Sequence, residues 1–406
     1  MRGRVRVAYV NHTGAVSGAE VVLMNMVRGL DRSAYEPVAI CPAEGGLADQ
    51  LQAEGVPCVP LPAVQARFTW RPDELWKAAI SLGRAIWALR RTLRQIDPEI
   101  VHANSVRAGV VVSLACIASG RKVVWHVHDN LPKHPISTLI RIAALGLRPD
   151  RVIGVSQATA KAFRGPFSFE GSVVTIHNGV DLLRFPLKGE ERSALRSALG
   201  VPESAFLVCA VGQICERKGL LELIEAFTAA HAQAREMHLI IAGSVVFEHE
   251  RPYLDRLHRA ATRPSVAGSV RFIGQIQDVS ALLRAADLLV LNSREEPFGL
   301  VLIEAMSSGT PVLAARTGGI SEIVRDTENG WLVDRGDTAG LAQKLVELAG
   351  NNELLERAAL QARDATCPLF SVERFQARID DCYARMLATE KRAVIGRPQW
   401  ARPANE

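Results

Sequence analysis

Glu296 and Glu304 bracket the segment Pro297-Phe298-Gly299-Leu300-Val301-Leu302-Ile303, which reads as a turn running into a short helix. The apolar run Leu288–Leu291 before it reads as a strand, and Gly309 and Pro311 stop the helix. Gly299 lacks a side chain and lets the backbone approach a ligand closely. The amides of Phe298, Gly299 and Leu300 then lie at a helix N-terminus, where free N–H groups and the helix dipole favour an anion. A carboxylate accepts hydrogen bonds from two neighbouring hydroxyls, as sugar recognition requires. On these residues alone, a solvated turn acid and a helix-surface acid explain the pair equally well.

Three further clusters follow apolar runs. After Phe206–Val211 comes Gly212-Gln213-Ile214-Cys215-Glu216-Arg217-Lys218-Gly219, which offers a cation beside a glycine turn. After the first run, residues 11–20 form a loop with Gly14 and Gly18, able to turn amides toward a phosphate but equally readable as a plain tight turn. Trp125-His126-Val127-His128-Asp129 closes another run, and alternation puts His126 and His128 on one strand face. No third ligand stands at a recognisable metal spacing, so no metal is expected.

These clusters need scaffolding elements. Val- and Ile-rich runs at 6–10, 36–40, 100–103, 123–127, 151–155 and 173–176 alternate with helical patterns, and so do 206–211, 238–242, 270–273, 288–291 and 311–315. Continuous short apolar runs suit parallel strands covered on both faces, and the alternation predicts two doubly wound α/β domains. The polar stretch 181–205, with Pro186 and Pro202, is the expected seam. Residues 1–184 and 185–369 are the expected domains, and ligands of such sheets bind beyond the carboxyl ends of the strands. Residues 391–406 mix Arg, Pro and Gly without periodicity and predict a mobile tail.

With 48% hydrophobic and 22% charged residues in 406, the chain has a globular composition, and its net charge of +5 does not call for nucleic acid. Seven cysteines without a C-x-x-C pair predict reduced, buried thiols and a reducing compartment. The basic start at Arg2, Arg4 and Arg6 leads into an apolar run too short for a signal peptide. The longest apolar stretch, 108–118, is too short to span a bilayer. A cytoplasmic protein, attached to a membrane at most on its surface, is expected.

Glu296-Pro297-Phe298-Gly299 followed by Glu304 resembles the E-x7-E signature of the family 4 retaining glycosyltransferases of GT-B fold. Ala305 to Val312, Gly318-Gly319 and Glu322 resemble its continuation. Ser17-Gly18-Ala19-Glu20 is similar to the family's Gly-Gly-x-Glu loop, with Ser17 in place of the first glycine. Gly212 to Gly219 is similar to its Gly-Arg-x-x-x-x-Lys-Gly diphosphate clamp, with Gln213 in place of the arginine. Val155-Ser156, the His177-Asn178-Gly179-Val180-Asp181 hinge and Phe272 to Ile276 also match, as does the helix from Phe370, which returns over about 370–390 to the first domain in this fold. The resemblance runs from about Val5 to Leu387.

It implies a nucleoside diphosphate sugar donor, transfer of a hexosyl group with retention, and no cofactor. Lys218 and the amides near Gly18 and Gly299 would hold the diphosphate, with Gln213, Phe298 and Leu300 alongside. Glu304 would bind the ribose, Ile276 would meet the base through its backbone, and Glu296 and His128 would face the reacting sugar. His126, Asp129 and Asn178 are candidates on the side of the acceptor, a glycan or lipid-linked molecule of cell-envelope synthesis. The same fold also serves epimerases and phosphorylases, and Gln213 admits a non-catalytic subunit.

One element stands apart. The stretch from Trp76 to Arg94 reads as a helix with Trp76, Trp87, Arg84, Arg90, Arg91 and Arg94. It suits an anionic membrane surface or an anionic acceptor. A helix packed through its tryptophans, with a solvated basic face, is the simpler expectation.

Overall fold

The computed structural model describes residues 3–395 except 63–71 and positions 133, 170, 190 and 235. It divides into two compact units. Unit 1 holds the chain through Gly154, Ala160–Ile176 and the chain from Phe375; unit 2 holds Val155–Thr159 and His177–Arg374. The long segment of unit 2 begins at His177, ahead of the expected seam.

Unit 1 alternates β1 (Val5–Val10), α1 (Gly18–Arg28), β2 (Tyr35–Cys41), α2 (Leu47–Ala53), β3 (Cys58–Pro60), α3 (Pro72–Ile96) and β4 (Ile100–Ala103). It continues with α4 (Val106–Ala115), β5 (Lys122–Val127), α5 (Pro135–Leu147), β6 (Arg151–Gly154), α6 (Gln157–Arg164) and β7 (Val173–Thr175). The strands pair in the order β3-β2-β1-β4-β5-β6-β7, and every pairing is parallel. Side-chain alternation gives the sheet two different faces. Ala8, Val10, Val101, Ala103, Val123 and Trp125 join a core with Ala85, Leu89 and Leu93 of α3 and Val111 and Val112 of α4. The opposite set includes Tyr9, His102 and His126, all buried.

Unit 2 runs through α7 (Arg192–Ala198), β8 (Phe206–Val211), α8 (Leu220–His231), β9 (Met237–Ala242), α9 (Arg251–Ala261), β10 (Val270–Gly274) and α10 (Val279–Ala285). It then adds β11 (Leu288–Leu291), α11 (Leu300–Ser307), β12 (Val312–Ala315), α12 (Ile320–Ile323), β13 (Trp331–Val333), α13 (Thr338–Ala349) and α14 (Asn352–Gln361). The six parallel strands pair as β10-β9-β8-β11-β12-β13. Phe206, Val208 and Ala210 of β8 enter one core with α8 and α13. Leu207 and Cys209 enter the other with α10 and α11. Burial on both faces is why the central strands β8, β11 and β12 read as unbroken apolar runs.

Three expectations need correction. The last helix, α15 (Val372–Ile395), runs past residue 390, so 391–395 are helical; 396–406 lie outside the described residues. Trp76 and Trp87 do not pack α3, being 70% and 68% exposed; Ala85, Leu89 and Leu93 do that instead. The short edge strands β3 and β13 were not anticipated. None of the seven cysteines is in a disulfide, and six are buried, Cys58 partly so.

Candidate active site

In unit 2, two loops meet beyond the carboxyl ends of β8 and β11. The first leaves β8 through Gly212 and forms a single turn over Glu216–Lys218. It then reverses at Gly219, whose φ of 59° favours glycine. A Cβ on Gly219 would also lie 2.2 Å from the Asn292 carbonyl oxygen. The second loop carries residues 292–299 into α11. Asn292 Nδ2 donates to the Gly219 carbonyl at 3.0 Å, Arg294 N–H to the Arg217 carbonyl at 2.8 Å, and Arg217 Nη1 to the Glu295 carbonyl at 3.2 Å. These bonds fix the loops to each other.

That registration brings Lys218 to Glu296, Nζ to Oε2 at 2.6 Å. Ser293 Oγ donates to the same oxygen at 2.9 Å. Glu296 is buried, and burial alone would raise its carboxyl. The Lys218 charge and hydrogen bond, the Arg217 charge and the Ser293 hydroxyl outweigh that and hold it below the ordinary value. Glu296 is therefore an anion at neutral pH. Gln213 and Lys218 line the same cavity of about 10 Å³ under the first loop, so the expected neighbours are neighbours.

Gly299 has φ 104° and starts α11, leaving the first-turn amides without intrahelical partners. Phe298 just before it is buried and lies against His177, ring centroids 5.8 Å apart, and Phe370 at 5.7 Å. Glu304 is partly exposed as a residue, and its carboxyl is perturbed. Burial pushes it up to about 7, against a small opposing effect of Arg184. Burial with so little compensation costs stability. Ile276, in the loop after β10, packs partly against the second core. Asn178 is buried, and its Oδ1 has no hydrogen-bond partner among the described residues.

Other polar residues hold this loop rather than face it. Glu322 accepts from the amides of Gln157 and Ala158 at 2.8 and 2.9 Å and pairs with His177 Nε2 at 2.7 Å. Ser156 Oγ donates to the Pro297 carbonyl at 2.6 Å. Gly319 N–H donates to the Glu296 carbonyl at 3.0 Å. A larger cavity, of about 520 Å³, opens elsewhere in unit 2, by Lys188, Arg192 and Asp287. It lies before β8, β11 and β12, at the wrong end of the sheet, and is lined by none of the candidate site residues.

Unit 1 has its own polar cluster at the carboxyl ends of β1, β4 and β5. His128 Nε2 lies 3.0 Å from Asn104 Oδ1. Asn104 Nδ2 donates to Asn11 Oδ1 and to the Ala19 carbonyl, both at 3.2 Å. Turning the amide over would put its oxygen against two acceptors, so Asn104 Oδ1 is the acceptor and His128 carries its proton on Nε2. His128 Nδ1 is then bare, and burial lowers the ring to about 3, so it is neutral at pH 7. Asn11 Nδ2 donates to Glu20 Oε1 at 3.0 Å, and Glu20 Oε2 accepts from Ser17 N–H at 3.0 Å. Gly18, the first residue of α1, is exposed with open space where a Cβ would stand.

His126 lies behind His128, rings 4.2 Å apart, and is fully buried. Its Nδ1 faces His102 Nε2 at 3.2 Å, and His102 Nδ1 faces the Tyr383 hydroxyl of α15 at 2.7 Å. Among the described residues no group of three or more His, Cys, Asp or Glu is arranged to hold a metal ion. Asp129 is exposed. Asn104, Asn11, His102 and Tyr383 were not singled out from the sequence. Asn104 could have been, since it directly follows a central strand.

Comparison with known proteins follows this geometry. A family described as "Glycosyl transferases group 1" matches residues 191–365, and "Glycosyltransferase Family 4" matches 16–184. The chain is 34% identical over 318 residues to the D-inositol 3-phosphate glycosyltransferase of Salinispora arenicola, covering 71% of this chain and 69% of that protein. It is 36% identical over 195 residues to the lipopolysaccharide core biosynthesis glycosyltransferase LpsE of Rhizobium meliloti, covering 48% of this chain and only 53% of that relative. Among solved structures it resembles Anabaena Alr3699/HepE in complex with UDP-glucose, with TM-score 0.82 and 26% identity over 94% of this chain and all of that one.

Proposed function

The chain belongs to the group 1 glycosyltransferases of family 4, with the GT-B fold, and we propose that it moves a hexosyl group from a nucleoside diphosphate sugar to an acceptor hydroxyl with retained anomeric configuration. The observation that carries this reading is the largely buried Lys218–Glu296 pair, held by two loops beside the α11 N-terminus. Lys218 and the first amides of α11 stabilise charge on the departing diphosphate. Glu304 receives the ribose hydroxyls, and Glu296 receives a sugar hydroxyl. In unit 1, His128 Nδ1 is a neutral acceptor for a sugar hydroxyl, and the open space at Gly18 suits a phosphate. Ile276 meets the base through its backbone. Asp129 and Asn178 are assigned to the acceptor side, whereas His126, fully buried behind His128 and bonded to His102, supports that ring instead of facing an acceptor.

The acceptor is proposed to be a glycan or lipid-linked molecule of cell-envelope synthesis. LpsE, the Rhizobium relative, is named for lipopolysaccharide core biosynthesis. No helix among the described residues is long and apolar enough to cross a membrane. A cytoplasmic protein with peripheral membrane contact fits that acceptor.

Incubation with UDP-glucose and candidate acceptors, followed by proton NMR, tests the reaction. Released nucleoside diphosphate and a product with the donor's anomeric configuration are expected. An inverted product contradicts retention, while an epimerised donor or a sugar phosphate assigns the site to the epimerase or phosphorylase chemistry of the same fold.

Gln213→Arg supplies a second test. It adds a cation beside Lys218, so donor affinity should rise about tenfold, as expected for one charge-assisted bond. Unchanged affinity in calorimetric titration would place Gln213 outside the diphosphate contact.

A further inference from the structure

Right-handed crossovers put α3, α4, α5 and α6 on one side of the unit 1 sheet, because each connects strands in the same direction across it. α3 packs on α4, and α4 on α5. The outward surface of this layer has an unusual composition. α4, α5 and α6 contain no Asp or Glu, and the only acids of α3 are Asp73 and Glu74 in its first turn. Exposed cations include Arg84, Arg90, Arg91, Arg94, Arg107 and Lys161. Large apolar side chains are exposed among them: Trp76, Ile80 and Trp87 on α3, and Leu139 and Ile142 on α5.

The order along α3 is informative. At about 3.6 residues per turn, Trp76, Ile80 and Trp87 fall within roughly 40° of one another, opposite the packed Ala85, Leu89 and Leu93. Arg91 and Arg84 flank that line at roughly 60° and 80° from Trp76, Arg90 flanks its other side, and Arg94 lies on it. The stripe is roughly 27 Å long. A solvated helix face has no use for two tryptophans that remain about 70% exposed. Tryptophan indoles settle at the headgroup level of a bilayer, and a one-sign cationic surface is attracted to anionic headgroups.

We propose that the α3 face, Trp76-Ile80-Trp87 with Arg84, Arg90, Arg91 and Arg94, docks unit 1 on an anionic phospholipid surface. This deepens the peripheral contact proposed above by naming the surface and its lipid chemistry. The indoles and Ile80 enter the interfacial region while the guanidinium groups lie against phosphates. Leu139 and Ile142 extend the apolar part of the layer.

The test is sedimentation of the full chain with sucrose-loaded vesicles that contain no glycolipid. Phosphatidylcholine vesicles with phosphatidylglycerol should carry the protein down and pure phosphatidylcholine should not, and added salt should release it. Trp76→Ala/Trp87→Ala and Arg84→Ala/Arg91→Ala should each weaken vesicle binding by about tenfold or more, with the donor-induced rise in unfolding temperature unchanged. Equal binding to neutral vesicles, no binding, or variants that sediment like the wild type would overturn the proposal. So would a wild-type dimer converted to monomer by the tryptophan substitutions, which would assign the face to a second copy. A protein that ignores vesicles but responds to donor contradicts this surface alone; one that binds vesicles but no donor contradicts the transferase reading instead.

Discussion

Lys218→Ala is expected to lower kcat/KM for sugar transfer by about a thousandfold, the usual scale for removing a charge that stabilises a developing anion. Two effects combine. On the proposed reading the diphosphate loses a cation, and Glu296 loses the partner at 2.6 Å that helps keep it ionised despite burial. Without Lys218 only Arg217 and Ser293 oppose the effect of burial on Glu296, and its carboxyl rises. Removing one member of a buried pair also destabilises the fold by about 3–5 kcal/mol. Lys218→Arg separates the two effects, because it keeps a charge beside Glu296. It should restore most of the unfolding temperature and only part of the rate. A Lys218→Ala enzyme with near wild-type kcat/KM would remove Lys218 from the reaction.

Glu304→Gln should weaken donor binding by about thirty- to a hundredfold at pH 8, as two charge-assisted hydrogen bonds are replaced by neutral ones. Its pH dependence identifies the cause. With its carboxyl near 7 in the free protein, Glu304 must lose a proton before it accepts from both ribose hydroxyls. Donor affinity of the wild type should therefore fall about tenfold per pH unit below 7 and level off above it. Glu304→Gln should show no such dependence.

The unliganded fold carries the opposite sign. A carboxyl raised from 4.5 to about 7 is ionised first in the unfolded chain. Its contribution therefore falls as pH rises from about 4.5 to 7 and is constant above that. Calorimetric titration and thermal unfolding across pH 6–8 measure the two trends separately.

How much of this was readable in the sequence depends on what forced each residue. Ile100–Ala103, Phe206–Val211 and Leu288–Leu291 were found residue for residue, because burial on both faces leaves nearly unbroken apolar runs, with His102 the exception. Cys58–Pro60 and Trp331–Val333 are edge strands of three residues each, too short to show a period. Lys218, Glu296 and Gly299 stood out through spacing, and their loops do meet. Asn104 and Asn11 are single polar residues directly after strands; that position is the only signal they carry, and no motif spacing reinforces it. The partner of His102 is Tyr383, far along the chain, which no local signal connects. On α3 two apolar series share helical spacing, Ala85-Leu89-Leu93 and Trp76-Ile80-Trp87. Periodicity alone cannot decide which of them packs, and size favoured the wrong one.

The most direct measurement is thermal unfolding of the wild type and Glu304→Gln against a set of nucleoside diphosphate sugars, beginning with UDP-glucose. At least one donor should raise the unfolding temperature of the wild type and leave that of Glu304→Gln nearly unmoved. A wild type that responds to no donor, or a variant stabilised as fully as the wild type, would contradict the assignment of this loop pair as a nucleotide-sugar site.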